Sequence, residues 1–201
     1  MRSKYIDKNT VDKLRRAMDR DEWLPLRISL ETGLRIGDVV SLKHSALRRK
    51  DGKPILRTKA QKTGKLGEFP ISPALYDTLK KRVDAVKGNA RDGAFFFPSY
   101  GKTKHLTRQA AWARIKTAAH RLGIEADGVS PHSLRKCFAV ALRHEAGLEA
   151  VRKALQHSSD AVTRVYAYAD TVLQFDSDEP IRWRDVELIV EYILERLKEG
   201  T

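Results

Sequence analysis

Hydrophobic residues recur every three or four positions along most of the chain, which is the spacing of an α-helix that packs one face against a core. The first such face carries Val11, Leu14 and Met18, and either Asn9 or Thr10 is suited to cap its start. Further helical segments are predicted over residues 22–32, 35–42, 73–86, 107–122, 133–146, 148–155 and 160–169. Gly33 is the expected C-terminal stop of the second helix. The chain is therefore predicted to be mainly helical.

The pattern changes between residues 46 and 72, where short strand-like segments replace the helical spacing. Asp51-Gly52 is a strong hairpin signal, because these residue types tolerate the positive φ angles of a two-residue turn. A second turn, Lys62-Thr-Gly-Lys65, separates segments 55–60 and 67–71. We therefore predict a small three-stranded antiparallel sheet in an otherwise helical protein, which is an α+β fold that is mainly α-helical.

The end of the chain differs from the rest in charge. Residues 173–201 hold eight acidic and four basic residues, a net charge of −4, and the remainder holds 35 basic and 18 acidic residues, a net charge of +17. A polar, proline-ended stretch over residues 176–180 precedes an amphipathic segment over residues 182–198. We expect a basic domain over residues 1–172, followed by an acidic linker and helix. That helix could dock on its own domain, which is slightly favoured, or on a neighbouring subunit.

The excess of positive charge limits the classes of partner. The chain of 201 residues has a formal net charge of +13, which favours a polyanion, and nucleic acid is the commonest large one. An anionic membrane surface is the rival, but the sequence has no basic amphipathic helix or lipidation motif. No apolar run is long enough to span a bilayer and no leader opens the chain, so a cytosolic protein is expected. The single cysteine, Cys137, excludes an internal disulfide and is most simply a small buried residue.

The candidate reactive residues are individually weak signals. A lone arginine after a glycine is usually a surface cation, and a tyrosine on an amphipathic helix is usually part of the core. Histidine and arginine at i and i+3 share a helix face by chance in many proteins. The set gains weight from the order and spacing of its members, which are Arg35, Lys62, His132, Arg135, His157 and Tyr166.

Five segments in order resemble the sequence boxes of the tyrosine recombinase (phage integrase) family. Thr32-Gly-Leu-Arg-Ile-Gly-Asp-Val-Val-Ser-Leu42 is similar to the first box, and Gln61-Lys-Thr-Gly-Lys65 is similar to the lysine-bearing hairpin. Pro131-His-Ser-Leu-Arg135 and Ala154-Leu-Gln-His-Ser-Ser159 resemble the second and third boxes. Tyr166 follows His157 by nine residues, as the family's nucleophile does. The resemblance covers about residues 5–170.

Departures from the family pattern are small. Gln156 stands where the third box commonly has glycine, and Lys136 and Cys137 stand where many relatives have other residues. None of these positions carries a reacting group. The resemblance therefore implies a complete catalytic domain of the DNA breaking-rejoining type.

The resemblance also implies a role for each site residue. Arg35 and Arg135 would bind the non-bridging phosphate oxygens, and His157 would donate a further hydrogen bond to them. Tyr166 would attack phosphorus to form a 3′-phosphotyrosyl bond, with His132 as general base. Lys62 would be the general acid.

Two of these assignments stay open in the sequence. Lys59 and Lys65 are close enough to Lys62 to compete with it as the general acid. Asp38 would orient a catalytic group, although a solvated helix acid is an equally good interpretation. No cofactor or metal is expected, because positioned guanidinium groups would supply the charge that Mg²⁺ supplies in metal nucleases. The densest cluster of carboxylates also lies in the linker, and it consists of Asp176, Asp178 and Glu179.

The implied partner is double-stranded DNA, bound by a homo-oligomer (a tetramer) that could be monomeric when alone. The implied location is the cytoplasm of a bacterium or archaeon, where the protein could also be encoded by a phage. The chain begins almost at the family-like region, which fits either an excised domain or a minimal protein that relies on partners. Two other functions remain open, a type IB topoisomerase and a catalytically silent DNA-binding regulator.

Overall fold

The computed structural model describes residues 5–62, 64–86, 92–99, 104–124 and 128–155. Its helices and strands, in chain order, are α1 Lys8–Ala17, α2 Arg20–Thr32, α3 Ile36–Val40, a 3₁₀ turn His44–Ala46, β1 Leu47–Lys50, β2 Lys53–Lys59, β3 Leu66–Pro70, α4 Pro73–Ala85, α5 Arg108–Arg121 and α6 Pro131–Leu155. The segments predicted over residues 160–169 and 182–198, and with them His157, Tyr166 and the acidic tail, lie outside the described residues. In the part of the chain that is described, no helix is both long and apolar enough to cross a membrane.

The predicted antiparallel sheet is confirmed, with strand order β1-β2-β3. Asp51 and Gly52 connect β1 to β2 with φ angles of 49° and 76°, as a two-residue hairpin turn requires. Lys50 pairs with Lys53 across this turn, and Lys59 pairs with Leu66 across the next one. The second pairing closes the hairpin that carries Lys62.

The cap of α1 differs from the prediction. The helix begins at Lys8, and its cap is Asp7 rather than Asn9 or Thr10. The Asp7 carboxylate accepts the backbone N–H of Thr10 at 2.9 Å and the Thr10 hydroxyl at 2.7 Å. The prediction was wrong because a carboxylate three residues ahead satisfies the N–H group that a cap must satisfy. The predicted buried position is confirmed for Leu14.

Helix α2 lies between the two larger parts of the core. Leu24 and Ile28 pack with the inner face of the sheet, α4 and the buried rings of Phe96 and Phe97. Leu26, with its neighbour Trp23, packs on the other side, against α1, α5 and the first half of α6. Because α2 contributes to both clusters, its C-terminal end is held from two sides, and that end leads into the first box.

Helix α6 contains both of the helices predicted over residues 133–146 and 148–155. The backbone leaves helical geometry at Gly147, where φ is 78° and ψ is 178°, and resumes it afterwards. Phe138 and Leu142 from the first half pack with Val151 and Leu155 from the second. The second half therefore folds back to contact residues near the start of the helix.

The left-handed residue after α2 sits against α6. Gly33 has a φ of 66° and donates its N–H to the Ser29 carbonyl at 3.0 Å, which ends α2 as predicted. A Cβ at this position would lie 2.5 Å from the Phe138 ring and 2.7 Å from Leu155. The corner therefore needs glycine for its backbone conformation and for its close packing.

We expect Gly33→Ala to destabilise the fold by more than about 2 kcal/mol, because it adds overpacking to a left-handed strain of roughly 1 kcal/mol. Gly52→Ala is the matched control, since Gly52 also has a positive φ of 76° but nothing lies within 4 Å of where its Cβ would be. Urea unfolding of both variants measures the difference. Equal losses of unfolding free energy in the two variants would show that a methyl group at Gly33 does not clash with α6.

Candidate active site

The first box forms a rigid corner that ends at Arg35. Ser29 donates its hydroxyl to the Leu34 carbonyl at 2.7 Å, and the Thr32 hydroxyl oxygen accepts the Leu34 N–H at 3.2 Å. Arg35 follows as the N-cap residue of α3, in extended backbone conformation and half-buried. The buried hydroxyls thus fix the backbone from which the Arg35 guanidinium projects.

Arg135 of the second box lies beneath this corner. Its side chain is buried, with 3% of the residue exposed. The guanidinium donates to the Gly33 carbonyl and, at 3.2 Å, to the Leu155 carbonyl. Burying a guanidinium is costly unless its N–H groups are hydrogen-bonded, and backbone carbonyls satisfy part of that need. Arg135 therefore ties the first box to both ends of α6.

His132 lies in the first turn of α6, next to the two arginines. Although His132 is exposed to solvent, the protein atoms around its ring lower its pKa from 6.5 to about 4, and the positive charges of Arg135, Lys136 and Arg35 add to the shift. The two box arginines are thus within electrostatic reach of the imidazole. At neutral pH His132 is uncharged and able to accept a proton.

Asp38 connects α3 to the hairpin that carries Lys62. The Asp38 side chain is buried, with 4% of the residue exposed, and its Oδ1 accepts the backbone N–H of Gln61 at 2.9 Å. The interpretation of Asp38 as a solvated helix acid is therefore wrong, because the hairpin covers it. Lys62 follows Gln61 in the turn and is exposed. Lys59 ends β2 and Lys65 precedes β3, so all three candidate lysines belong to this hairpin.

A pocket of about 510 Å³ opens beside His132. Its wall on α5 carries Arg108, Trp112 and Lys116, and Ser130 lies opposite, ahead of α6. Trp112 is 47% exposed, and the Lys116 ammonium lies 5.4 Å from the centre of its ring. The sequence interpretation missed this wall. Its signal was the spacing of Arg108, Trp112 and Lys116 at successive i+4 positions, which puts two cations and an aromatic on one face.

Of the seven predicted site residues, the structure brings Arg35, His132 and Arg135 together, and it joins the hairpin of Lys62 to α3 through Asp38. His157 and Tyr166 lie outside the described residues. Among the residues that are described, no group of three His, Cys, Asp or Glu side chains could hold a metal ion. Cys137 is buried as predicted, and burial raises the pKa of its thiol to about 12.

We expect the His132 imidazole to titrate near pH 4 in two-dimensional NMR, well below an ordinary histidine. Because the unfolded chain takes up this proton first, His132 should cost stability as the pH falls from 6.5 towards 4. Urea unfolding across that window should therefore show a weaker pH dependence for His132→Gln than for the parent. A His132 resonance that titrates near 6.5 would show that neither the surrounding protein atoms nor the arginines act on the ring as described.

This chain is similar in sequence to known proteins. The sequence model of the phage integrase family matches residues 4–171. The tyrosine recombinase XerD of Rhizobium meliloti (strain 1021) is 35% identical over 138 residues, which are 68% of this chain and 43% of that protein. XerD of Vibrio vulnificus (strain YJ016) is 32% identical over 182 residues, 84% of this chain and 57% of that protein. The chain spans about half the length of the curated relatives it matches.

Solved structures share the fold. XerH bound to a palindromic difH substrate, in a post-cleavage complex, superposes with a TM-score of 0.68 at 20% identity, over 86% of this chain and 51% of that one. XerA recombinase superposes with a TM-score of 0.68 at 19% identity, over 90% of this chain and 68% of that one. The helical fold with its three-stranded sheet is therefore that of the tyrosine recombinases. With a family match over residues 4–171 and the first two boxes folded together around Arg135, the chain belongs to the phage integrase family of tyrosine recombinases.

Proposed function

We propose that this chain cuts and rejoins DNA through a 3′-phosphotyrosyl intermediate and serves site-specific recombination. The observation that carries the proposal is that Arg35 and Arg135 both lie within electrostatic reach of a neutral His132, while α3, which follows Arg35, binds the hairpin of Lys62 through Asp38. Two guanidinium groups that both act on one imidazole suit the non-bridging oxygens of one phosphodiester, whose charge increases in the transition state. Family membership supports the same chemistry.

In the first step, the Tyr166 phenolic oxygen forms a bond to phosphorus. The phenolic proton passes to His132, which is neutral at pH 7 because its pKa is about 4. Once the phosphate is bound, its negative charge offsets the neighbouring arginines and raises the pKa of His132, so that the imidazole becomes a better base.

The bond between phosphorus and the 5′ oxygen breaks in the same step. That oxygen leaves with the bonding electron pair and takes a proton from the Lys62 ammonium, so that a 5′ hydroxyl is released. Rejoining reverses these events. The 5′ hydroxyl of a second strand attacks phosphorus and gives its proton to Lys62, and the phenolate leaves and recovers its proton from His132. The phosphotyrosyl bond conserves the energy of the cut bond, and no nucleotide is consumed.

Charge and shape support double-stranded DNA as the substrate. The net charge of +17 outside residues 173–201 suits a DNA backbone, and the pocket wall of Arg108, Trp112 and Lys116 extends the cationic surface beyond His132. XerH and lambda integrase, which share the fold, were each crystallised on DNA. Action on a genome would place the protein in the cytoplasm of a bacterial or archaeal cell.

We expect Tyr166→Phe to abolish covalent attachment to a nicked suicide duplex while DNA affinity stays within about twofold, since only the nucleophile is removed. Tyr168→Phe is the matched control two residues away and should retain attachment. The adduct is measured by denaturing gel in EDTA, and mass spectrometry locates the modified residue. Attachment by Tyr166→Phe at the parental level would overturn the nucleophile assignment.

We also propose that a homo-oligomer, a tetramer, assembles on DNA and that the acidic tail docks either on its own domain, which is slightly favoured, or on a neighbouring subunit. A stripe of apolar residues on a segment of opposite charge to the basic body supports this proposal. If the tail docks on a neighbouring subunit, a chain that ends at Asp178 should give a complex of lower mass on DNA, measured by light scattering. Equal masses with and without residues 179–201 would favour docking within one chain.

A further inference from the structure

The hairpin turn that carries Lys62 is bound to α3 through one neighbouring residue, Gln61. Its backbone N–H donates to Asp38 Oδ1 at 2.9 Å. Its side-chain Nε2 donates to the Ser41 hydroxyl oxygen at 2.8 Å and to the Gly37 carbonyl at 3.3 Å. Both the main chain and the side chain of Gln61 are thus held by α3 and its C-terminal residue.

These acceptors are themselves fixed. Asp38 is buried, and the Ser41 hydroxyl donates to the Asp38 carbonyl at 3.0 Å. The Gln61 amide also lies against the open side of Gly37, where an added Cβ would be 3.8 Å from its oxygen. Because α3 begins directly after Arg35, the same short helix positions the first-box arginine and receives the lysine hairpin.

Two further backbone hydrogen bonds of the turn, among its described residues, lie within the hairpin. Ala60 donates its N–H to the Lys65 carbonyl at 2.9 Å, and Gly64 donates its N–H to the Ala60 carbonyl at 2.8 Å. Those bonds set the shape of the turn but not its place relative to Arg35. In the part of the turn that is described, the Gln61 hydrogen bonds join it to α3, the helix of the first box.

We propose that Gln61, with Ser41 as its partner, is a positioning residue that holds Lys62 where it can protonate the leaving 5′ oxygen. This inference rests on the proposed function, and it adds residues that touch no reacting atom. A general acid must lie within hydrogen-bond reach of the oxygen it protonates, and a displacement of about 1 Å can cost roughly a hundredfold in rate. Loss of the Gln61 side chain therefore acts on the protonation step alone.

A substrate with sulfur in place of the bridging 5′ oxygen isolates that step. A thiol loses its proton near pH 8.5, about seven units below water, so a thiolate leaves without a general acid. A defect in Lys62 or in its position should then disappear, whereas a general loss of structure or DNA binding should persist. Nicked duplexes with randomised flanks are first used to select a sequence that the full chain attaches to, and the oxygen and sulfur versions of that duplex are then compared.

On the oxygen substrate we expect Gln61→Ala to slow single-turnover cleavage by about 10- to 100-fold, and Lys62→Ala to slow it further. On the sulfur substrate both variants should come within about threefold of the parent. Ser41→Ala should behave as Gln61→Ala does, and Ser41→Thr, which keeps the hydroxyl, should restore the oxygen rate. Thr78→Ala is the control, since it also removes a side-chain hydrogen bond to a backbone carbonyl, at 2.8 Å, on the exposed face of α4.

The outcomes separate this inference from the proposed function. If Gln61→Ala slowed cleavage equally on both substrates, or cleaved both at the parental rate, the positioning role of Gln61 would be overturned. Lys62 would still be the general acid if the sulfur substrate restored the rate of Lys62→Ala. Failure of sulfur to rescue Lys62→Ala would overturn the general-acid assignment and the role of Gln61 with it. If the parent formed no adduct with any duplex, the proposed function itself would fall.

Discussion

The arrangement of the site depends on one buried guanidinium. Arg135 donates to the carbonyl of Gly33, which is the left-handed end of α2, and to the carbonyl of Leu155, which is the end of α6. Taking a cation out of water would oppose folding unless its donors were used, so the corner and the two halves of α6 must come together for Arg135 to be buried. The two carbonyls thus fix the side chain of Arg135 between the first box and the end of α6.

This constraint also explains the electrostatics of the site. Packing the first box on α6 brings Arg35 and Arg135 near His132. The protein atoms around the ring, together with these positive charges, lower the pKa of the imidazole and keep it neutral. The arginine charges that would bind a phosphodiester thus also favour the unprotonated form of His132, the proposed base. If His132 is the base, as proposed, a bound anionic substrate would raise the pKa of its imidazole again, and proton transfer would be coupled to occupancy of the site.

The hairpin of Lys62 is held in a different way. It projects from the sheet, with Lys62 exposed, and it meets the rest of the site through the Asp38 and Gln61 hydrogen bonds. Arg135 is fixed by burial, whereas Lys62 is held by a few polar contacts at the surface. A group that must reach the leaving oxygen only in the transition state benefits from such an attachment, because it can adjust without disturbing the core.

The sequence determined the local elements, because their causes lie within a few residues. The period of the apolar positions predicted α2 to α6, Asp51-Gly52 predicted the first hairpin, and Gly33 predicted the end of α2. The cap of α1 was misplaced only because Asp7 reaches the same N–H group from three residues away. Family resemblance picked out Arg35, Lys62, His132 and Arg135, but not how they are held. Tertiary structure decided three features: the burial of Asp38 under the hairpin, the hydrogen bonds of Gln61 to α3, and the pocket wall at Trp112. Each of them joins segments from 20 to more than 90 residues apart. Contacts across such separations depend on how whole elements pack, and no local pattern encodes that packing.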